Sequence, residues 1–234
     1  MLYNPVIPIM SEKIHIRNES SELQRYREEV DEVVKKFMQD NGIEAVIGLS
    51  GDASSSSEDE VTKIVKDLIA NMKGLPYAIL TGGTQGGVPQ LGIQIAKEAK
   101  VPTIGVYPEQ GRKKSLGDAL DLEIEASPPM YGPGKYGSET PTFVNLLGGA
   151  AVIGGGFGTL TEVSTLLKIN KMRLDGNETP IFLSPISGTG GVADAIHTLP
   201  GIDKVAPSLP IEPITTGADA ALFLKNKLDL SPTE

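Results

Sequence analysis

Short apolar segments of strand length alternate with longer amphipathic segments along most of this chain. Apolar runs occupy residues 45–49, 77–80, 101–106, 150–153 and 180–183, and residues 120–124 are a candidate for a further short strand. Between these runs, apolar side chains recur at steps of three and four residues, which is the spacing of one helix face. Strands that alternate with helices form βαβ units, whose strands pair in parallel and are covered by the helices. The pattern therefore predicts an α/β fold with a parallel sheet.

The same pattern predicts the layers and the domain organisation. Helices are expected at residues 20–39, 57–69, 91–100, 142–147, from about 159 onwards, at 192–197 and at 218–228. Continuous apolar strands and right-handed crossovers place helices on both faces of the sheet, so we expect a Rossmann-like three-layer α/β/α sandwich with a mainly parallel sheet. No shift in composition marks a second domain. We expect residues 1–234 to form a single domain, with an N-terminal extension and helix in 1–43 and the core in 44–229.

The composition argues against several kinds of site. The chain has no cysteine and only two histidines, His15 and His197, so no metal site is expected. The net charge of −9 disfavours a nucleic-acid partner. No apolar run is long enough to span a bilayer, and the first residues lack the features of a secretion signal. We therefore expect a cytoplasmic protein whose partner is a small molecule and neither nucleic acid nor a membrane.

Glycine and other small residues cluster in three loops, at residues 48–57, 81–87 and 154–159, each directly after a predicted strand. Ligands of open parallel sheets bind at the carboxyl ends of the strands. Glycine lets a ligand approach the backbone closely, and the amides and dipole of the following helix favour an anion. Tight strand-to-helix turns also need glycine, so a single loop of this kind is weak evidence. Three of them at one sheet edge favour a phosphate-bearing ligand.

These loops supply the predicted ligand-binding and phosphate-binding residues. The predicted set is Ser50, Gly51, Asp52, Gly82, Gly83, Thr84, Gly86, Gly87, Gly155, Gly156, Gly158 and Thr159, with Lys135 from a later glycine-rich loop. Lys135 and the basic run at residues 112–114 are each open to two interpretations, as phosphate ligands or as solvated loop residues.

Common nucleotide and hydrolase motifs are incomplete here. Thr159 stands where the dinucleotide fingerprint needs its third glycine. Tyr136 follows Gly134-Lys135 where a P-loop needs serine or threonine, and Asp52 replaces the last glycine of a nucleophile elbow. A classical dehydrogenase, a P-loop nucleotidase and an α/β-hydrolase are therefore not supported.

Two segments together resemble a known family. Residues 153–162, Ile-Gly-Gly-Gly-Phe-Gly-Thr-Leu-Thr-Glu, resemble the Pro-Gly-Gly-x-Gly-Thr-x-x-Glu signature of the LOG family, which was formerly labelled lysine decarboxylase-like. Residues 79–88 are similar to the corresponding earlier loop, and closest to the version in the N-terminal region of melastatin-type TRP channels. Both belong to the SLOG superfamily of Rossmann-like domains.

The resemblance implies a nucleotide-type ligand whose phosphate lies against the glycine loops. Some members hydrolyse the N-glycosidic bond of nucleoside monophosphates, others sense ADP-ribose-like ligands, and a related group carries molybdenum cofactor. A bound nucleotide or molybdenum cofactor is therefore the cofactor to expect here, if there is one. The resemblance also implies a homodimer or higher homo-oligomer, with Val163, Leu166 and Leu167 beside the signature as candidates for an interface as well as for the core.

Two acidic residues decide whether a hydrolase is expected. The hydrolases carry an arginine about fifteen residues before the signature, where this chain has Glu139. A carboxylate there repels a ligand phosphate. Glu162 in turn is open to two interpretations, as a catalytic carboxylate or as the last residue of a capping box that begins at Thr159.

The function expected from the sequence is therefore that of a binding module, a carrier or sensor of an ADP-ribose-like or molybdopterin-type ligand. The alternative is a nucleoside 5'-monophosphate phosphoribohydrolase that uses Glu162 with another cation, such as Lys135. A structural subunit with vestigial loops is the third possibility.

Overall fold

Six parallel strands form one sheet in the computed structural model, which describes residues 21–52, 58–126 and 137–232. The strands are β1 (Ala45–Asp52), β2 (Tyr77–Thr81), β3 (Thr103–Pro108), β4 (Leu122–Ala126), β5 (Gly149–Gly154) and β6 (Phe182–Ile186). Their order across the sheet is β4-β3-β2-β1-β5-β6, and every neighbouring pair is parallel. The predicted Rossmann-like α/β fold is confirmed.

Helices cover both faces of this sheet. They are α1 (Ser21–Asp40), α2 (Glu58–Asn71), α3 (Gly87–Glu98), α4 (Thr140–Asn145), α5 (Phe157–Asp175), α6 (Gly191–Ala195) and α7 (Gly217–Lys227). Buried side chains of α2, α3 and α7 form one apolar core with the sheet, and those of α1, α4, α5 and α6 form another. The chain therefore has the three layers that its continuous apolar strands predict.

The central strand β1 shows how the two cores share one sheet. Side chains alternate across a strand, so Ile47 and Leu49 pack in the core of α2, α3 and α7, whereas Val46 packs on the side of α5. By the same alternation, Ser50 faces α5. This orientation sets the polar chemistry described below.

Several element boundaries differ from the sequence prediction. β1 continues through Gly51 to Asp52 because these polar residues pair in register with β5, and composition alone gives no sign of that pairing. α3 and α5 begin earlier than predicted, because glycine-rich segments that were expected to be loops supply their first turns. The helix expected at 192–197 divides into α6 and a 3₁₀ turn at Ile196–Thr198.

Two of the three candidate interface residues lie in the core. Val163 and Leu166 are 1% and 2% exposed and pack on the sheet, so their expected place in the core is confirmed, and they offer almost no surface to an interface. Leu167 is partly buried against the same core. Within the described ranges, no helix is both long and apolar enough to cross a bilayer.

The order of the strands creates one topological switch point. The chain moves outward from β1 through β2 and β3 to β4, then returns to place β5 on the other side of β1. The connections that leave β1 and β5 at their carboxyl ends therefore diverge to opposite sides, and a crevice opens between them.

Candidate functional site

A cleft of about 290 Å³ lies at this switch point, at the carboxyl ends of the central strands. Residues from the ends of β1 and β2 and from the first two turns of α5 line it, as do two residues of β3 and single residues from α3 and from the turn before α4. Of the predicted residues, the structure brings Ser50, Gly51, Asp52, Gly82, Thr84, Gly156, Gly158, Thr159 and Glu162 to this lining. Residues more than a hundred positions apart in the sequence therefore meet at one place.

A larger groove lies at the opposite end of the sheet. It has a volume of about 770 Å³ and runs past Tyr77, at the start of β2, and Pro102, just before β3. Helices α2 and α3 end beside this groove. Their first turns, which carry the backbone amides without a partner in the helix, therefore lie far from it. The cleft at the switch point is the better candidate because a helix N-terminus opens into it.

The first turn of α5 presents backbone amides to the cleft. Gly156 is the residue that precedes the helix, and no side chain of the described residues caps this end. The first amide bonded back within the helix is that of Leu160, which donates to the carbonyl of Gly156 at 2.9 Å. The amides of Phe157, Gly158 and Thr159 have no partner in the helix itself, so they can donate to an anion.

The capping-box interpretation of Glu162 is wrong. Because α5 begins at Phe157, Thr159 lies inside the first turn, and its side chain does not cap the helix. Glu162 instead reaches across to the sheet, where the hydroxyl of Ser50 donates a hydrogen bond to Oε2 of Glu162. Ser50 and Glu162 thus join the end of β1 to the second turn of α5.

The environment of Glu162 raises the pKa of its carboxyl group to about 7. Burial is the largest cause, because the charged form loses hydration, and the negative charge of Glu139 adds to it. The hydrogen bond from Ser50 acts in the opposite direction. Near neutral pH this carboxyl group therefore exists in both protonation states.

Glu139 lies on the lining of the same cleft. Its Oε2 accepts a hydrogen bond from the amide of Gly137 at 2.7 Å. Among the described residues, the charged side chains on the lining are Asp52, Glu139 and Glu162. The side chains thus make the cleft negative, while the backbone amides of α5 provide positive potential at one end.

The remaining predicted glycines lie away from the cleft lining, and two of them pack closely against their neighbours. Gly83 and Gly155 have positive φ angles, and a Cβ on either would lie within 3 Å of a neighbouring atom. The amide of Gly86 donates to Oε1 of Gln90 at 2.8 Å, and Gly87 begins α3. Of the loop after β2, only Gly82 and Thr84 reach the cleft.

The predicted basic residues are not on the described lining. Arg112 forms two hydrogen bonds with Glu125, with its Nε at 2.6 Å and its Nη2 at 2.5 Å. Lys135 lies outside the described residues. Whether it approaches the cleft stays a prediction.

Sequence reasoning missed several apolar residues of the lining, among them Pro89, Val106, Pro108 and Phe157. Pro89 lies next to one glycine cluster and Phe157 lies inside another, but only the small and polar residues of these segments were included in the predicted set. Val106 and Pro108 end β3, so position at a strand end was the signal that could have identified them.

The fold and this cleft define a Rossmann-like α/β protein with an open cleft at the switch point. Residues 43–174, more than half of the chain, match the model of the SLOG cluster4 family. The chain belongs to that family, as its glycine signature predicts. A search of the curated proteins gave no significant match.

Solved structures share the fold. The crystal structure of TM1055, a structural genomics target, is 21% identical with a TM-score of 0.56, and the match covers 77% of this chain and 97% of that one. The molybdenum cofactor carrier protein of Chlamydomonas reinhardtii is 23% identical with a TM-score of 0.53, covering 79% of this chain and 98% of that one. A second structure of that carrier protein gives 22% identity and a TM-score of 0.54 with the same coverage.

Proposed function

We propose that this protein binds a phosphate-bearing nucleotide or nucleotide derivative in the switch-point cleft, as a carrier or a sensor. The observation that supports this most strongly is the convergence of the β1 and β2 ends on the uncapped first turn of α5. A helix N-terminus carries roughly half a positive charge and directs free amides outward. A single phosphate group at Gly158 would satisfy them.

The carboxylates select the part of the ligand that lies away from the phosphate. Glu139 and Asp52 repel additional phosphates, but they accept hydrogen bonds from ribose hydroxyls or ring N–H groups. Glu162 either accepts or donates, because its pKa of about 7 allows both protonation states. The cleft therefore favours one phosphate at the helix and a donor-rich group beside the carboxylates.

Two ligand classes are compatible with this cleft, a molybdopterin-type compound with its one phosphate, and an ADP-ribose-like nucleotide that keeps its second phosphate away from the carboxylates. Both combine phosphate with a planar ring and several hydrogen-bond donors. The molybdenum cofactor carrier of Chlamydomonas reinhardtii shares the fold, which supports the second class. Mass analysis of small molecules released from the denatured purified protein would identify a retained ligand and its class.

A pair of variants at Gly158 tests the phosphate position. No atom lies within 4 Å of a Cβ built there, and the residue lies in the first turn of α5. Gly158→Asp places a negative charge at the proposed phosphate site. Because this site is at the positive end of the helix dipole, the charge also stabilises the helix. Gly158→Asn adds nearly the same volume without the charge, so it serves as the matched control.

We expect Gly158→Asp to weaken nucleoside monophosphate binding at least about tenfold relative to Gly158→Asn, measured by calorimetric titration. The unfolding midpoint of Gly158→Asp should equal or exceed that of the control. Equal affinities of the two variants would place the phosphate elsewhere. An absence of binding by the parent protein, together with an empty protein in mass analysis, would overturn the proposed function.

Hydrolysis of nucleoside monophosphates is the second candidate function, and the position of Glu162 favours it. A carboxyl group with a pKa near neutrality in a cleft is suited to general acid–base catalysis. Against it, Glu139 stands where the resembling hydrolases carry arginine. Release of free base by the parent protein and its loss in Glu162→Gln would support hydrolysis, whereas binding without base release would support the carrier or sensor.

A further inference from the structure

Phe157 is the most exposed aromatic side chain in the described part of the chain. It is 91% exposed, whereas the other four phenylalanines are buried or partly buried. It is the first residue of α5 and lies on the lining of the cleft. An aromatic ring that loses almost no water contact on folding contributes little to the stability of the fold. Its position at the cleft calls for a different explanation.

The exposed apolar surface of α5 is concentrated at this end of the helix. Leu160, one turn later, is 39% exposed. On the same face, the next two turns carry the exposed residues Ser164 and Lys168 before Met172 appears near the end of the helix. A face that formed a helix–helix interface would stay apolar along its length. The apolar exposure here instead borders the cleft.

Other apolar residues line the cleft as well. Pro89 comes from the first turn of α3, and Pro108 ends β3. Both are rigid side chains without hydrogen-bonding groups, whereas the polar lining residues come from β1, from α5, from the loop after β2 and from the turn before α4. The cleft therefore offers apolar surface for a ring in addition to amides for a phosphate.

We propose that Phe157 stacks on the planar ring of the ligand, a nucleobase or a comparable heterocycle, and so selects ligands that carry one. This inference rests on the proposed function, since it assigns a second contact to the same site. Stacking on an aromatic side chain tolerates different ring identities because every base offers a π face. The phosphate contacts backbone amides and the ring contacts a side chain of the same helix turn, so one element recognises both groups.

The test compares two probes, one that carries a nucleobase and one that lacks it. Adenosine 5'-monophosphate carries sugar, phosphate and base, and ribose 5-phosphate lacks the base. Affinities are measured by calorimetric titration for the parent protein and for Phe157→Ala, Phe157→Leu and Phe157→Tyr. Met172→Ala, which removes a 63% exposed apolar side chain near the other end of α5, is the matched control.

We expect Phe157→Ala to weaken adenosine 5'-monophosphate binding about tenfold and ribose 5-phosphate binding less than about twofold. Phe157→Tyr should retain the parent affinity, and Phe157→Leu should fall between the two because it keeps apolar volume and loses the ring. Met172→Ala should change neither affinity. Substitutions at these exposed positions should leave the fold intact, and the thermal unfolding midpoint of each variant checks this.

Three results would overturn the stacking proposal. One is an equal loss for both probes, which would assign Phe157 to the phosphate contact. Another is an unchanged nucleotide affinity in Phe157→Ala. The third is a change of oligomeric state in analytical ultracentrifugation without a change of relative affinity, which would show that a second copy covers the ring. If the parent protein binds neither probe and is empty in mass analysis, the proposed function itself fails; if it binds adenosine 5'-monophosphate and Phe157→Ala leaves that affinity unchanged, only the stacking inference fails.

Discussion

The two glycine clusters that resemble each other most in sequence differ in the structure. In the loop after β2, Gly83 packs against Gly105, and the amide of Gly86 is bonded to the side chain of Gln90. In the segment after β5, nothing lies within 4 Å of a Cβ placed on Gly156 or Gly158, and no described side chain caps the helix that begins there.

The difference shows that a glycine cluster has two separate physical uses. One is close packing of backbones, where a Cβ would collide with a neighbour. The other is an open, amide-bearing helix end that a ligand can approach. The segment after β5 combines both, because Gly155 packs closely against Thr159 and Gly191 while Gly156 and Gly158 face open space. The predictions below test this division from the largest effect to the smallest.

Gly83→Ala should reduce the free energy of unfolding by about 3 kcal/mol, because the new Cβ would lie 2.8 Å from the Cα of Gly105 and the residue has a φ of +60°. Urea unfolding measures the change. Gly42→Ala is the matched control, since its φ is +61° but no atom lies within 4 Å of its Cβ. It should cost only about 1 kcal/mol. Equal losses would show that backbone strain, and not packing, sets the role of Gly83.

Glu162→Gln should remove a pH dependence of stability. Because the folded-state pKa is about 7 and the unfolded pKa is near 4.5, the parent protein loses stability as pH rises from about 4.5 to 7. Glutamine keeps an acceptor for Ser50 but carries no charge. The variant should therefore match the parent at pH 4 and exceed it at pH 8 by on the order of 2 kcal/mol.

Denaturant unfolding at several pH values measures this effect. The control is Glu123→Gln, whose carboxyl pKa is lowered by hydrogen bonds from Ser115 and Tyr107. That group stabilises the fold above its unfolded pKa and loses this contribution as pH falls, so its replacement should destabilise slightly at pH 8. A parent stability that is flat between pH 4.5 and 7 would contradict the raised pKa of Glu162.

Gly158→Ala should have opposite effects on stability and binding. Alanine is favoured over glycine inside a helix by about 1 kcal/mol, and the Cβ meets no atom within 4 Å. Nucleotide affinity should fall several-fold because the methyl group occupies the cleft. Ser164→Ala, on the exposed face of the same helix, should leave affinity unchanged. If Gly158→Ala instead lowered the free energy of unfolding, Gly158 would have a packing role like that of Gly83.

Gln90→Ala should have the smallest effect. It removes the exposed hydrogen bond to the amide of Gly86, which contributes about 0.5 kcal/mol. Nucleotide affinity should not change, since that amide lies away from the cleft lining. A several-fold change of affinity in titration would show that the segment around Gly86 also contacts the ligand.

Much of the fold could be predicted from the sequence because its two signals, apolar runs and the helical spacing of apolar residues, involve only residues close together in the chain. All six strands were predicted, most of them as runs of buried apolar residues and the edge strand β4 from its alternating apolar residues, and the helices showed apolar faces at three- and four-residue steps. The ends of elements were less predictable. β1 extends over polar residues because its neighbour β5 supplies hydrogen bonds, and that neighbour is about a hundred residues away.

The candidate site was predictable in its backbone and less so in its side chains. Glycine signatures indicated the loop ends, and the structure brings most of the predicted residues to one cleft. The spacing of Thr159 and Glu162 predicted a cap, whereas tertiary packing directs Glu162 to Ser50. The exposure of Phe157 and the separation of packing glycines from cleft glycines depend on neighbours that are distant in sequence.

The sequence by itself determined the α/β class, the family and the three glycine-rich segments that follow strands, because hydrophobic period and glycine clusters are properties of neighbouring residues. Only the tertiary structure decided which amides remain uncapped, which glycines pack, and that Glu162 and Glu139 share one cleft. Those features depend on the strand order β4-β3-β2-β1-β5-β6, which sets the end of β1 beside the end of β5. Burial and charge at that junction, and not any local motif, raise the pKa of Glu162.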